Sequence, residues 1–183
     1  ATSLFADTSR YDFFGGYDEG KDCGVIHVAD RTISVGKKMF TWAYNQLSAS
    51  WEKALTDEDG AYAELMASSY SLNQPDFAWL MPYEGKEFSQ LWYPVGGIGT
   101  PLCACREAAV VLREGELRLQ AAVTLNNATL ELDGQQYPLD ASPERVFTMK
   151  LNGEPSSLIL RTEDGRVLLH YAKPEEQTVQ EMP

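Results

Sequence analysis

The sequence predicts an all-β protein that folds as two sandwich domains. Short runs rich in Val, Tyr, Phe, Trp and Thr recur between turn signals, and long stretches of 3.6-residue periodicity are scarce. The chain has 183 residues, of which 44% are hydrophobic and 23% are charged. That length and composition are typical of a globular protein with a sizeable core.

The first half is predicted to contain six strands and one short helix. We expect the helix at Gln46–Leu55, where Trp51 lies at helical spacing from its apolar neighbours and is expected to pack against the domain. The strands are expected where β-branched and aromatic residues alternate with polar ones. The predicted strands are Tyr11–Tyr17, Cys23–Ala29, Lys38–Tyr44, Ala61–Ser69, Phe77–Met81 and Lys86–Pro94.

Residues 96–101 are predicted to link the two domains. Three glycines and one proline in six residues can neither hold a strand interior nor continue a helix. We therefore expect a first domain at 1–100, a second at 101–173, and a flexible tail or linker at 174–183.

The second domain is predicted to be a small antiparallel sandwich of the immunoglobulin-like kind. Residues 117–123 and 128–132 alternate apolar and polar side chains with a period of two, which is typical of half-buried strands. Asp133-Gly134, Asn152-Gly153 and Asp164-Gly165 each lie between strand-like runs, and such pairs favour the tight turns of hairpins.

The charge excludes some classes of partner. Fifteen Lys and Arg against 27 Asp and Glu give a net charge of −12, so we expect neither a nucleic-acid nor a membrane partner. No run of 18 apolar residues and no signal peptide is visible, and the three cysteines favour reduced thiols. These features predict a cytoplasmic protein, and no motif predicts a metal or a cofactor.

Glu64 is the candidate catalytic residue. In an extended strand, Tyr62, Glu64 and Met66 point to one side and small residues to the other. A carboxylate beside a phenol and a thioether can act as a general base near neutral pH. The alternative is a solvated strand glutamate.

Aromatic side chains form the candidate ligand platform. Phe40, Trp42 and Tyr44 alternate along one predicted strand, and Trp79 follows later. Flat rings stack on the C–H face of a pyranose, although they also fill sandwich cores. His27 is either a further ligand contact or a hydrogen-bonded strand histidine.

Several blocks resemble the C-terminal end of galactose mutarotase-like proteins. They are Tyr62–Met66, Asn73–Phe77, Leu80–Glu84 and Trp92–Tyr93. Six further blocks span much of residues 2–112: Thr2–Phe5, Phe14–Tyr17, Gly24–Asp30, Gly36–Trp42, Leu55–Gly60 and Phe88–Pro94. With them, residues 2–112 look more closely like an uncharacterised bacterial domain family that precedes tetratricopeptide repeats. That resemblance implies the later half of a mutarotase-like β-supersandwich, followed by the small sandwich, with tetratricopeptide repeats of the same polypeptide as a further partner.

The resemblance also implies site residues and a carbohydrate ligand. Glu64 matches the epimerase glutamate that takes the proton from the anomeric hydroxyl, and Trp42, Tyr62, Asn73, Trp79 and His27 are the expected ligand contacts. Met66 and Tyr83 depart from the pattern, which has Gln and a turn glycine there. The partner histidine would lie upstream, so epimerase-like or sugar-cleaving activity is expected only of the full-length protein.

Three functions remain open on the sequence alone. The first is a carbohydrate-active region, the second a non-catalytic sugar-binding module, and the third a structural or interaction domain that supports a repeat array. Only the first requires Glu64 to exchange a proton.

Overall fold

A computed structural model describes residues 2–7, 9–42, 46–57, 60–73 and 75–174. The described residues form fourteen strands and one helix, which confirms the predicted all-β sandwich class. The chain divides into two compact units. Unit 1 comprises residues 1–17 and 24–94, and unit 2 comprises residues 18–23 and 95–183. The sequence prediction placed the division at residue 100 and assigned 18–23 to the first domain.

Unit 1 is built on two three-stranded sheets. The strands are β1 (Thr2–Phe5), β2 (Phe13–Asp18), β3 (Cys23–Val28), β4 (Lys38–Thr41), β5 (Ala63–Met66) and β6 (Leu91–Gly96). One sheet has the order β1-β4-β5 and the other the order β2-β3-β6. A Cβ atom added to Gly16 of β2 would lie 3.2 Å from the side chain of Leu65 in β5, so the two sheets approach each other closely there.

Helix α1 (Gln46–Thr56) lies where the sequence predicts it. The expected packing of Trp51 is wrong, because its side chain is 57% exposed. The predicted strand at Phe77–Met81 is also wrong: these residues are exposed and adopt no regular structure. Pro75 and Pro82 flank them, and proline cannot donate a hydrogen bond to a ladder. No helix among the described residues is both long and apolar enough to cross a membrane.

Unit 2 is a sandwich of two four-stranded antiparallel sheets. The strands are β7 (Cys103–Ala104), β8 (Ala108–Arg113), β9 (Glu116–Ala121), β10 (Leu125–Leu132), β11 (Gln135–Ala141), β12 (Phe147–Lys150), β13 (Ser157–Arg161) and β14 (Val167–Ala172). The sheets have the orders β12-β9-β8-β7 and β11-β10-β13-β14. Buried and half-buried residues alternate along β9 and β13, as expected where one face covers a core.

Two of the three predicted turns close hairpins. Asp133-Gly134 joins β10 to β11 with φ values of 47° and 84°, and Asp164-Gly165 lies between the paired strands β13 and β14. The prediction is wrong for Asn152-Gly153, because β12 and β13 belong to different sheets and the segment crosses between them.

Candidate functional site

Glu64 lies on an aromatic face of the β1-β4-β5 sheet. Phe40 of β4 is paired in register with Glu64 of β5, so both side chains point to the same side of the sheet. The backbone N–H of Trp42 donates to the carbonyl of Tyr62 over 3.2 Å, which extends this ladder by one pair. We call the surface formed by Phe5, Lys38, Phe40, Trp42, Tyr62 and Glu64 the Glu64 face.

The rings of the Glu64 face form a continuous row. The ring centroids of Phe5 and Phe40 are 5.9 Å apart, those of Phe40 and Trp42 are 6.5 Å apart, and those of Trp42 and Tyr62 are 5.2 Å apart. Phe5 is 48% exposed, and the other three rings are half-buried. Part of each ring is therefore accessible to a ligand.

Tyr62 and Glu64 are coupled directly. The phenol hydroxyl of Tyr62 donates a hydrogen bond to the Glu64 carboxylate, and this bond is the main reason that the pKa of Tyr62 is raised. Glu64 is half-buried. An ionised carboxylate has about four lone-pair sites on its two oxygens, so Tyr62 leaves acceptor capacity for another donor.

Lys38 and Asn73 form the polar end of the Glu64 face. Lys38 is only 8% exposed, and its Nζ donates to the Oδ1 of Asn73 over 2.7 Å and to the carbonyl of Leu72 over 3.5 Å. The same nitrogen lies 5.8 Å from the ring centroid of Phe40. Asn73, a predicted ligand contact, thus reaches the Glu64 face through Lys38.

A cavity of about 220 Å³ borders this end of the face and is lined by Phe5, Asp7, Lys37 and Leu72. Lys37 is 2% exposed, and its Nζ donates to the carbonyl of Tyr11 and to the hydroxyl of Ser9. Burial lowers the pKa of Lys37. Lys37 and Lys38 are therefore both withdrawn from solvent, and their ammonium groups bind different partners.

His27 lies on the other sheet of unit 1, in β3. It is fully buried, and its ring is 4.6 Å from that of Trp92 and 5.0 Å from that of Phe14. Neither ring nitrogen has a hydrogen-bond partner of good geometry among the described residues. Burial, followed by the positive charge of Lys37, lowers the pKa of His27 to about 4, and the Gln90 amide offsets this in part. His27 is therefore neutral at pH 7.

Trp79 stands apart from the Glu64 face in its contacts. It is 77% exposed and meets Phe77 edge to face at a centroid distance of 5.4 Å. Tyr44, which the sequence aligns with Phe40 and Trp42, lies outside the described residues. Of the predicted site residues, the structure brings together Trp42, Tyr62, Glu64 and, through Lys38, Asn73.

Sequence reasoning missed Lys38 and Phe5. The signal for Lys38 was present, since it precedes Phe40 by two residues and continues the alternation through Trp42. Phe5 belongs to a four-residue strand whose pairing with β4 depends on a register that no local pattern encodes. Within the described ranges, no group of three or more His, Cys, Asp or Glu side chains is arranged to hold a metal ion.

The family described as Domain of unknown function (DUF5107) matches residues 1–95, which is more than half of the chain and includes every residue of the Glu64 face. The chain belongs to this family. No solved structure matches the chain. In this DUF5107 protein, the matched region ends close to the boundary between the two compact units, at residues 94 and 95.

Proposed function

We propose that unit 1 binds carbohydrate on the Glu64 face. The observation that carries this proposal is the placement of a hydrogen-bonded carboxylate within a row of four aromatic rings. Both elements suit a sugar, because a pyranose presents apolar C–H patches that stack on rings and hydroxyls that donate to acceptors. Glu64 supplies the acceptor, with Phe40 opposite it in the ladder and the Tyr62 hydroxyl bonded to it.

Binding supported by stacking is tested with two variants and a matched control. A panel of mono- and oligosaccharides is screened by thermal shift, since a ligand at 100 times its Kd stabilises by about 2.7 kcal/mol. For any sugar that binds, Trp42→Ala is expected to weaken binding at least about tenfold, which corresponds to about 1.4 kcal/mol. Trp51→Ala removes an exposed tryptophan of α1 and is expected to leave the affinity unchanged.

Two outcomes contradict the proposal. One is a panel in which no saccharide shifts the melting temperature of the wild-type protein. The other is a Kd that changes equally in Trp42→Ala and Trp51→Ala. Tyr62→Phe keeps the ring and removes only the hydroxyl. It tests the same face with a smaller change if the Trp42 variant fails to fold.

Catalysis belongs to the proposal only for the full-length protein, as an epimerase-like or sugar-cleaving activity with Glu64 as the base. Its support is the resemblance to the mutarotase-like supersandwich, which we also propose as the fold around unit 1. Tyr83 stands where that pattern has a turn glycine and adopts a φ of 68°, a conformation that glycine favours. Glu64→Gln is expected to abolish turnover and to retain binding. Turnover at the wild-type rate would exclude Glu64 as the base.

A second candidate function is an interaction domain that supports tetratricopeptide repeats. One observation favours it: Phe77, Trp79, Met81 and Tyr83 lie within a single irregular segment and are between 63% and 108% exposed. Exposed apolar patches often mark protein interfaces. Replacing Phe77 and Trp79 by Ser would then weaken association with the repeats and leave sugar affinity unchanged, whereas the carbohydrate proposal predicts no role for the segment in association.

A further inference from the structure

Lys38 is a cation that lacks a carboxylate partner in the described part of the chain. Its Nζ is held by two neutral oxygens, those of Asn73 and Leu72, and forms no ion pair with any described Asp or Glu. Buried charges in proteins are usually paired, because removal from water is costly. The net charge of the chain is −12, so the missing carboxylate partner does not result from a shortage of acidic residues.

The Lys38 ammonium also has donor capacity to spare. A lysine ammonium carries three N–H donors, and the structure accounts for the Asn73 oxygen at 2.7 Å and the more distant Leu72 carbonyl at 3.5 Å. The third donor has no acceptor among the described residues. An anionic oxygen arriving at this end of the Glu64 face would supply both the missing acceptor and the missing charge.

Two direct neighbours of Lys38 border a cavity of about 220 Å³. It is lined by Phe5, which is paired in register with Lys38, by Leu72, whose carbonyl accepts from Lys38, and by Lys37. Since a water molecule occupies about 30 Å³ in the liquid, this volume exceeds that of a carboxylate several times over. Asp7 also lines the cavity, but it is exposed, so solvent screens its charge.

We propose that the Glu64 face selects acidic saccharides and that Lys38 is its specificity-determining residue. The ammonium of Lys38 binds the carboxylate of a uronic acid whose ring stacks on Phe40 and Trp42, while Glu64 accepts a hydrogen bond from a ring hydroxyl. This inference rests on the proposed function, since it assigns the substrate class of the same face. It involves binding alone and no covalent step.

The test compares one ligand in charged and uncharged forms. Oligogalacturonate, alginate and hyaluronan fragments are titrated calorimetrically, and the acidic ligand that binds most tightly is compared with its methyl ester, which has the same rings and no charge. The acid is expected to bind at least about tenfold more tightly than the ester, a difference of about 1.4 kcal/mol. The preference is expected to diminish in 500 mM NaCl, because salt screens the charge at the open end of the cavity.

Variants attribute the preference to Lys38. Lys38→Met keeps an apolar stem and is expected to abolish the tenfold preference for the acid while leaving the affinity for the ester unchanged. Asn73→Asp retains Lys38 but gives it an internal carboxylate, so the same loss is expected without deleting the lysine. Lys38→Arg is expected to retain the preference. Lys53→Gln, on helix α1, removes a different positive charge and is the matched control.

The outcomes separate this inference from the proposed function. If neutral and acidic sugars bind equally well and Trp42→Ala weakens both, the face binds carbohydrate and the role of Lys38 is refuted. If Lys38→Met lowers the affinities for acid and ester by the same factor, Lys38 is structural rather than selective. If no saccharide binds at all, the proposed function itself fails.

Discussion

The burial of His27 makes the stability of unit 1 depend on pH. The folded protein holds the pKa of His27 at about 4, whereas an unperturbed histidine has a pKa of 6.5. Below pH 6.5, His27 therefore binds a proton in the unfolded chain but stays neutral in the folded protein until the pH approaches 4. The contribution of neutral His27 to the stability is fully present above pH 6.5 and is lost as the pH falls toward 4.

The size of this loss follows from the shift. Because the pKa of His27 is 6.5 in the unfolded chain and about 4 in the folded protein, unit 1 is destabilised by about 3 kcal/mol at pH 4 relative to pH 7.5. Since folded domains are stable by about 5–15 kcal/mol, one histidine accounts for a large share. His27→Leu replaces the ring by an apolar side chain of similar size and removes two buried nitrogens that have no partner of good geometry among the described residues, so it is expected to be at least as stable as the wild type at pH 7.5.

Urea denaturation followed by tryptophan fluorescence measures the effect. All four tryptophans lie in unit 1, so this signal reports on that unit alone. Between pH 7.5 and 4, the wild type is expected to lose about 3 kcal/mol more than His27→Leu. His170→Gln, which removes the exposed histidine of unit 2, is the control and should follow the wild type. Equal pH slopes in the wild type and His27→Leu, or an NMR pKa for His27 near 6.5, would refute the reasoning.

Two further predictions concern thiols and a close backbone contact. Burial raises the pKa of Cys103 to about 12 and that of Cys105 to about 11. Iodoacetamide at pH 8 is therefore expected to label only the exposed Cys23 in the native protein and all three cysteines in urea, which mass spectrometry measures. Native labelling of Cys103 would contradict this. A Cβ atom added to Gly24 would lie 2.3 Å from a backbone oxygen, whereas one added to Gly153 meets no atom within 4 Å. Gly24→Ala is therefore expected to destabilise by about 2 kcal/mol or more in thermal melts and Gly153→Ala by less than about 1 kcal/mol, and equal effects would refute the contact.

The alternation of side chains within a strand could be predicted from the sequence, whereas the pairing between strands could not. The period of two correctly put Tyr62 and Glu64 on one side of β5 and Phe40 and Trp42 on one side of β4. The register that sets Phe40 opposite Glu64 joins strands separated by helix α1. It depends on which faces are buried in the folded unit, and no local pattern contains that information.

For two residues, the type of side chain is a poor guide to its burial. A lysine is usually exposed to solvent, yet the fold buries Lys38 against Asn73 because β4 is the central strand of its sheet. The sequence predicts Trp79 in a strand, yet Trp79 is exposed because its segment pairs with no described strand. In both cases tertiary context overrides the local preference.

A carbohydrate site can use the Glu64 carboxylate as a hydrogen-bond acceptor or as a general base. The hydrogen bond from Tyr62 supports the first role. A sugar-binding role needs an ionised acceptor in a fixed position, and the Tyr62 hydroxyl fixes one oxygen while leaving lone pairs for a ligand hydroxyl. A general base must also release the proton it takes, which requires a second group to receive it or to supply another. The hydrogen bond from Tyr62 satisfies the first requirement, and His27, buried on the other sheet, does not meet the second. The geometry of unit 1 therefore supports binding on the Glu64 face more directly than it supports turnover there.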